Sequence, residues 1–358
     1  MSERGRIDPR YVVVFGACLT QFTVIGLLFA YGVFFKVFED EFGWSRTLLS
    51  SCSSVAFLVM GTLAIVGGRM SDRYGPRIVL CISGALFSLG FVLASQLSQP
   101  WQLIVVFGLL LGVGLSTHDV VTLSTVARWF ERKRGIMTGV VKTGTAVGQV
   151  VIPPTVALLI ATIGWRSASV VIGIVAAGLL LAAALMVKAP PKPAADRAAS
   201  QAGLSYAGAR RTRTFWTLCA VQFLFFPSLM AVPLHIVVHA TDLGMTTAAG
   251  ATLLSVIGGI SAAGRLTVWA LSGRIRGKRA YVMCFLPLIA SLLALLVIES
   301  PWLLYFALAV YGFGHGGFFI VVAPTVAEYF GTVAHGAIFG SILFFGTIGG
   351  AAGPIVAG

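Results

Sequence analysis

The sequence predicts an all-α membrane protein made of two pseudo-symmetric six-helix bundles, with eleven spans present and the twelfth missing. Three observations predict it. The 358 residues are 58% hydrophobic and only 10% charged, where a soluble chain carries about 25% charged residues. The apolar residues fall into runs of about 20, long enough to cross a ~30 Å hydrocarbon core as helices. Finally, landmarks of the first half recur in the second at an offset of 200 or 201 residues. Pro100-Trp101 returns as Pro301-Trp302, Thr125-Val126-Ala127 as Thr325-Val326-Ala327, and Gly135 and Gly139 as Gly336 and Gly340. Such self-similarity marks duplication.

The spans read as 11–35, 47–68, 77–97, 101–127, 135–161, 165–188, 214–240, 246–271, 279–298, 301–327 and 335–358. The period-2 alternation of a membrane β-barrel is absent. Residues 1–188 form the first bundle and 214–358 five helices of the second. Between them, residues 189–213 carry Pro190, Pro191 and Pro193 among alanines and basic residues, and read as a semi-extended linker. The first run is too long for a signal h-region and is expected to stay as a helix. Since the duplication calls for twelve helices, the chain is expected to be either truncated or shortened.

The formal charge of +13 could suggest a nucleic-acid partner, but position argues otherwise. Of 25 Lys and Arg, 20 lie in the N-terminal tail and in alternate connections: 69–77, 128–134, 188–213 and 274–279. This bias predicts a cytoplasmic N-terminus and orientation in anionic lipid, with no nucleic acid bound. The five cysteines sit inside spans without metal-ligand spacing and read as small buried hydrophobes.

The connection Gly67-Gly68-Arg69-Met70-Ser71-Asp72-Arg73-Tyr74-Gly75-Pro76-Arg77 joins the second and third spans. Its arginines alone would do no more than fix topology. The ordered pattern Gly68-x-Met70-x-Asp72-Arg73-x-Gly75-x-Arg77 resembles the signature between the second and third helices of the major facilitator superfamily of secondary transporters. Pro76 and Met70 depart from the usual basic residue and leucine. A second basic loop, 271–279, resembles a worn copy in which Gly273 replaces the aspartate. The resemblance covers essentially the whole chain. It implies a substrate cavity between two bundles near the bilayer midplane. It also implies a gate formed by Gly68, Asp72, Arg73, Gly75 and Arg77, with Asp72 pairing with Arg128 or a neighbouring helix N-terminus.

Trp129-Phe130-Glu131-Arg132-Lys133-Arg134-Gly135-Ile136-Met137-Thr138-Gly139, with Gly144, Gly148 and Pro153 following, looks like the helix 4–5 junction of monocarboxylate transporters and oxalate/formate antiporter relatives. Tyr31-Gly32-Val33-Phe34-Phe35 and Phe42-Gly43-Trp44-Ser45-Arg46 are common in that branch, and Arg265 matches its helix-8 arginine. Two features depart: the first-helix lysine has no counterpart, and the helix-8 aspartate position reads Ser261.

Ionisable groups inside spans are costly, at least ~2.5–3.5 kcal/mol each on insertion scales, so each needs a reason. Arg265 lies roughly 10 Å from the end of its span. It either snorkels or holds a substrate carboxylate through its planar fork. Lys142 is a structural partner of Asp119, a second anion ligand, or a cation that releases Asp119 when substrate binds. His118 and Asp119 are adjacent in the fourth span, about 100° apart around the helix, and are the candidates for carrying a proton. His315 stands among Gly312, Gly314, Gly316 and Gly317, which read as helix-packing glycines. Tyr31, Gln149, Gln21 and Gln222 are candidate cavity-lining hydrogen bonders.

Two buried cations against one buried acid leave one positive charge, which a monoanion would cancel and a cationic drug would worsen. The expected function is therefore secondary transport of a small organic anion, monocarboxylate-like, by proton symport or anion exchange, in a prokaryotic inner membrane. Efflux of an amphipathic drug or siderophore by proton antiport, and a non-transporting sensor of the same fold, are the alternatives. No cofactor or metal is implied. With no His-Glu-x-x-His, nucleophile elbow or paired catalytic carboxylates, nothing points to an enzyme.

Overall fold

A computed structural model of the chain describes residues 8–130, 133–190, 203–245, 247–271, 274–275 and 277–357. Among these residues the structure is helical, with no strand. The first bundle holds α1 (Pro9–Phe42), α2 (Arg46–Tyr74), α3 (Pro76–Ala94), α4 (Pro100–Trp129), α5 (residues 134–163) and α6 (residues 165–186). The second holds α7 (Arg213–Asp242), α8 (Thr247–Leu271), α9 (Gly277–Leu295), α10 (Pro301–Phe330) and α11 (His335–Ala357).

Local chemistry sets the helix boundaries. Asp8 accepts a bond from the backbone N–H of Arg10 at 2.9 Å and Pro9 opens α1, the usual arrangement of cap and first-turn proline. Ser45 caps α2 through the N–H of Leu48 at 3.3 Å. Gly75, at φ 91°, makes the sharp reversal between α2 and α3, and Gly164, at φ 75°, breaks α5 from α6. Both angles lie where a side chain is disfavoured, so glycine is required there. Within α4, residues Ile104–Leu110 form a π-helical stretch.

Several helices run past the expected span limits: α1 continues to Phe42 and α2 to Tyr74. The expected semi-extended linker needs correction, because Tyr206–Ala209 forms one helical turn capped by Ser205, whose Oγ accepts from the N–H of Gly208 at 3.1 Å. Residues 191–202 of that linker, Gly273 of the worn loop, and Glu131 and Arg132 of the α4–α5 junction lie outside the described residues.

Glycines bring the helix backbones together. A Cβ added at Gly144 would stand 2.3 Å from the carbonyl oxygen of Cys18, and at Gly148 2.3 Å from that of Phe22, so α5 lies directly on α1. The second half repeats this contact at the same offset: a Cβ at Gly349 would stand 2.1 Å from the carbonyl oxygen of Phe223, placing α11 on α7. On α10, Gly312 and Gly316 face the carbonyl oxygens of Ile257 and Ser261 on α8, and Gly314 faces that of Cys284 on α9. The glycine-rich run around His315 is thus a helix-packing device. In lipid, where apolar surface gains nothing by leaving solvent, such close approach is what drives helix association.

The two halves meet along the end that carries the basic connections, called here the basic end. α2 runs against α11, where a Cβ at Gly68 would stand 2.2 Å from the carbonyl oxygen of Gly336, and one at Gly340 2.5 Å from that of Ala64. α5 meets α8 where Gly139 receives the Trp269 ring.

Candidate functional site

At the basic end, Asp72 joins the halves. Its Oδ1 lies 3.4 Å from Nη1 of Arg128 on α4, and its Oδ2 accepts from the N–H of Ala337 in the first turn of α11 at 3.2 Å. An acid at a helix N-terminus meets free N–H groups and the positive end of the helix dipole. Arg77 of the same loop donates to the carbonyl of Leu185 at 2.6 Å, tying α3 to α6, while Arg73 is exposed above the Tyr74 ring. The linker is pinned here too. The Tyr206 hydroxyl lies 2.8 Å from Ser341 Oγ on α11, and the Arg69 guanidinium of α2 sits 4.6 Å above the Tyr206 ring.

Deeper in the bundle, a polar cluster forms around Asp119 on α4. Its Oδ1 accepts from Lys142 Nζ on α5 and from Gln21 Nε2 on α1, the latter at 2.7 Å. The other end of the Gln21 amide, Oε1, accepts from Thr145 Oγ1 at 2.9 Å and from Lys142 Nζ at 3.5 Å. His118 Nε2 lies 3.6 Å from Asp119 Oδ2, and its Nδ1 bonds the Leu115 carbonyl oxygen at 2.5 Å. Lys142 is 4% exposed. The glycines of α5 make this possible, since a helix seated on the α1 backbone carries Lys142 and Thr145 into reach of Gln21.

Across from this cluster stands Arg265 on α8. It is half-buried and makes no ion pair among the described residues, and its Nε has no hydrogen-bond partner. Its guanidinium lies 5.9 Å from the centroid of the Phe319 ring on α10. Lys142 Nζ lies 5.8 Å from the same centroid. One aromatic ring therefore stands near both buried cations, one from each half. His315, one turn before Phe319, meets that ring edge-on with centroids 5.2 Å apart and stacks on Tyr311 at 5.6 Å. Its Nδ1 is 3.4 Å from Ser261 Oγ and its Nε2 is buried without a partner.

Of the residues singled out from the sequence, the structure thus groups Asp119, His118 and Lys142, and sets Arg265 and His315 opposite them around Phe319. Gln149 is half-buried on α5, seven residues beyond Lys142. Tyr31 is not brought to this group. Its hydroxyl donates to the Leu49 carbonyl at 2.7 Å and its ring packs on Phe107 at 5.1 Å, a contact within the first bundle. Phe319 and Thr145 escaped the sequence reading. The trace of Phe319 was there: Tyr311, His315 and Phe319 are spaced by four and so share one face of α10.

A duplicated helical bundle that buries charged groups between its halves and carries glycine-seated helices defines a membrane transport protein rather than an enzyme. Residues 17–354 match the Major Facilitator Superfamily, and the chain belongs to that family. Among curated relatives, monocarboxylate transporter 13 of Bos taurus is 28% identical over 350 residues, covering 97% of this chain and 82% of its own length. MFS-type transporter 1 of Ophiocordyceps sp. (strain BCC 1869) is 26% identical over 322 residues, covering 88% and 70%. Among solved structures, the human organic anion transporter MFSD10 (TETRAN) superposes with a TM-score of 0.71 at 18% identity, covering 97% of this chain and 92% of that one. At that identity the likeness establishes the fold. The relatives named are fungal and mammalian, so they give no support to the expected prokaryotic inner membrane.

Proposed function

We propose that this transporter carries a small organic anion of the monocarboxylate type by alternating access between its two bundles. The observation that supports it is the state of Arg265. Asp119 already compensates Lys142, whereas among the described residues Arg265 has no acid paired with it, in a low-dielectric setting where an unpaired charge is costly. A carboxylate accepting two charge-assisted bonds from the guanidinium fork supplies the missing partner. His315, with its unpartnered Nε2, is the second ligand beside it.

Coupling falls to the cluster in the first bundle. Proton symport and anion exchange both fit this arrangement, and in symport Asp119, which accepts from Lys142 and Gln21 and adjoins His118, is the centre of the coupling. A proton arriving on Asp119 or His118 frees Lys142 to turn toward the substrate. Asp72, its pairing with Arg128 and its bond to α11 form the gate at the basic end, which is the cytoplasmic side by the bias of the basic connections. The two bundles then rock about the substrate as that gate opens. The family names of several relatives agree with this substrate class.

Uptake of labelled lactate, pyruvate and formate into proteoliposomes tests the reading. Uptake of at least one acid should fall by ten-fold or more in Arg265→Ala and stay unchanged in Arg211→Ala, an exposed arginine outside the site. Normal uptake by Arg265→Ala would show that the guanidinium does not hold the cargo.

A further inference from the structure

The placement of Phe319 carries a step beyond this reading, and rests on it. Two cations of opposite bundles approach one ring to nearly equal distances, 5.8 Å for Lys142 and 5.9 Å for Arg265. Among the described residues only Lys142 is paired with an acid. Asp119 is in contact with Lys142, and Lys142 and Arg265 stand about the same ring, yet Asp119 and Arg265 form no ion pair with each other. The ring itself packs perpendicular to His315 at 5.2 Å and to Phe225 at 5.9 Å.

We infer that Phe319 is a positioning residue that separates Arg265 from Asp119 and so keeps the substrate-binding guanidinium unpaired until an anion arrives. The physical reasoning is competitive. A flexible arginine in a poorly hydrated site beside a carboxylate pairs with it unless something stands between them. Such a pair would join α8 to α4 across the two bundles, giving Arg265 an internal anion in place of the cargo. An aromatic ring obstructs that approach, and its negative face gives each cation partial compensation without neutralising either. The substrate carboxylate then meets Arg265 with its full charge, while Asp119 stays with Lys142 for the proton. Phe319 thereby keeps the cargo charge and the coupling charge on different residues.

The inference predicts a dependence that simple contact with substrate does not. In Phe319→Leu the dissociation constant for whichever of lactate, pyruvate and formate the wild type takes up, measured by calorimetry on purified protein, should rise about ten-fold, because Asp119 now competes for Arg265. In a background carrying Asp119→Asn with Lys142→Met, which neutralises the buried pair together, the same Phe319→Leu change should raise it less than two-fold. Melting temperatures of all variants check that they fold. An equal rise in both backgrounds would mean that the ring merely touches the substrate, and no rise in either would mean that it separates nothing. Either result overturns the inference and leaves the anion reading intact. Full binding by Arg265→Ala, or no binding of any of the three acids by the wild type, overturns the anion reading and this inference with it.

Discussion

At the scale of single residues, the molecule places its ionisable groups where their cost is compensated. Lys142 and Asp119 are buried together and share the Gln21 amide, so each answers the charge of the other. Removing one partner leaves an uncompensated charge in a low-dielectric site, a loss of about 3–5 kcal/mol, whereas replacing both by neutral side chains of similar volume is close to neutral. Lys142→Met alone should therefore lower the melting temperature of the purified protein well below that of the double variant Lys142→Met with Asp119→Asn. Equal melting temperatures for the single and double variants would argue that the pair contributes nothing to the fold. Arg265 is the exception to this rule of compensation. Its Nε has no partner and no acid adjoins it among the described residues, which is why it is assigned to the cargo.

At the scale of helices, the site depends on backbone contacts that only glycine permits. Gly148 on Phe22, and its counterpart Gly349 on Phe223, seat α5 on α1 and α11 on α7 with the same geometry at an offset of 201 residues. A methyl group at either position would meet a carbonyl oxygen at 2.3 or 2.1 Å, far inside contact distance, so the helices must part. Overpacking of this kind costs about 1–3 kcal/mol. Gly148→Ala should lower the melting temperature and also impair transport, since it moves the helix that carries Lys142 and Thr145. Gly178→Ala, on α6 with open space where the added methyl would stand, should do neither. If Gly148→Ala melts and transports like the wild type, the close α1–α5 contact does not position the site.

At the scale of the whole molecule, the halves are closed at the basic end by the seam between α2 and α11, by Asp72 on Arg128 and the first turn of α11, and by Tyr206 of the linker on Ser341. The seam covers the positions 64–72 of α2, and the Asp72 contacts lie at its basic extremity. Loss of the charge in Asp72→Asn should weaken the closed arrangement by about 1–2 kcal/mol, roughly ten-fold in the closed-to-open ratio. Spin labels at Tyr74 and Val333, both exposed at that end, provide the measurement. Their distance distribution should gain a longer component in Asp72→Asn, and an unchanged distribution would remove Asp72 from the gate.

Much of this was legible in one sequence because lipid leaves few choices. Hydrogen bonding inside a membrane forces apolar runs into helices, basic connections mark one end, and duplication leaves landmarks at a nearly constant offset. The eleven helices and the identity of the costly charged residues follow from those constraints, while the family rests on the resemblance of Gly68–Arg77 to its signature. For Asp72 the sequence offered Arg128 or a helix N-terminus as alternative partners, and in the fold its two oxygens lie one beside each. What the sequence left open was which side chains meet. Lys142 meets Asp119 only because α5 lies on α1, and the Tyr31 hydroxyl lies on the Leu49 carbonyl rather than beside that cluster. Phe319 drew no notice because one phenylalanine among 25 has no distinguishing chemistry. Its importance comes from standing near two cations that lie 177 and 54 residues away in the chain, Lys142 and Arg265. Hydropathy and charge act along the chain and can be read there, whereas the compensation of a buried charge depends on which atoms the tertiary packing places beside it.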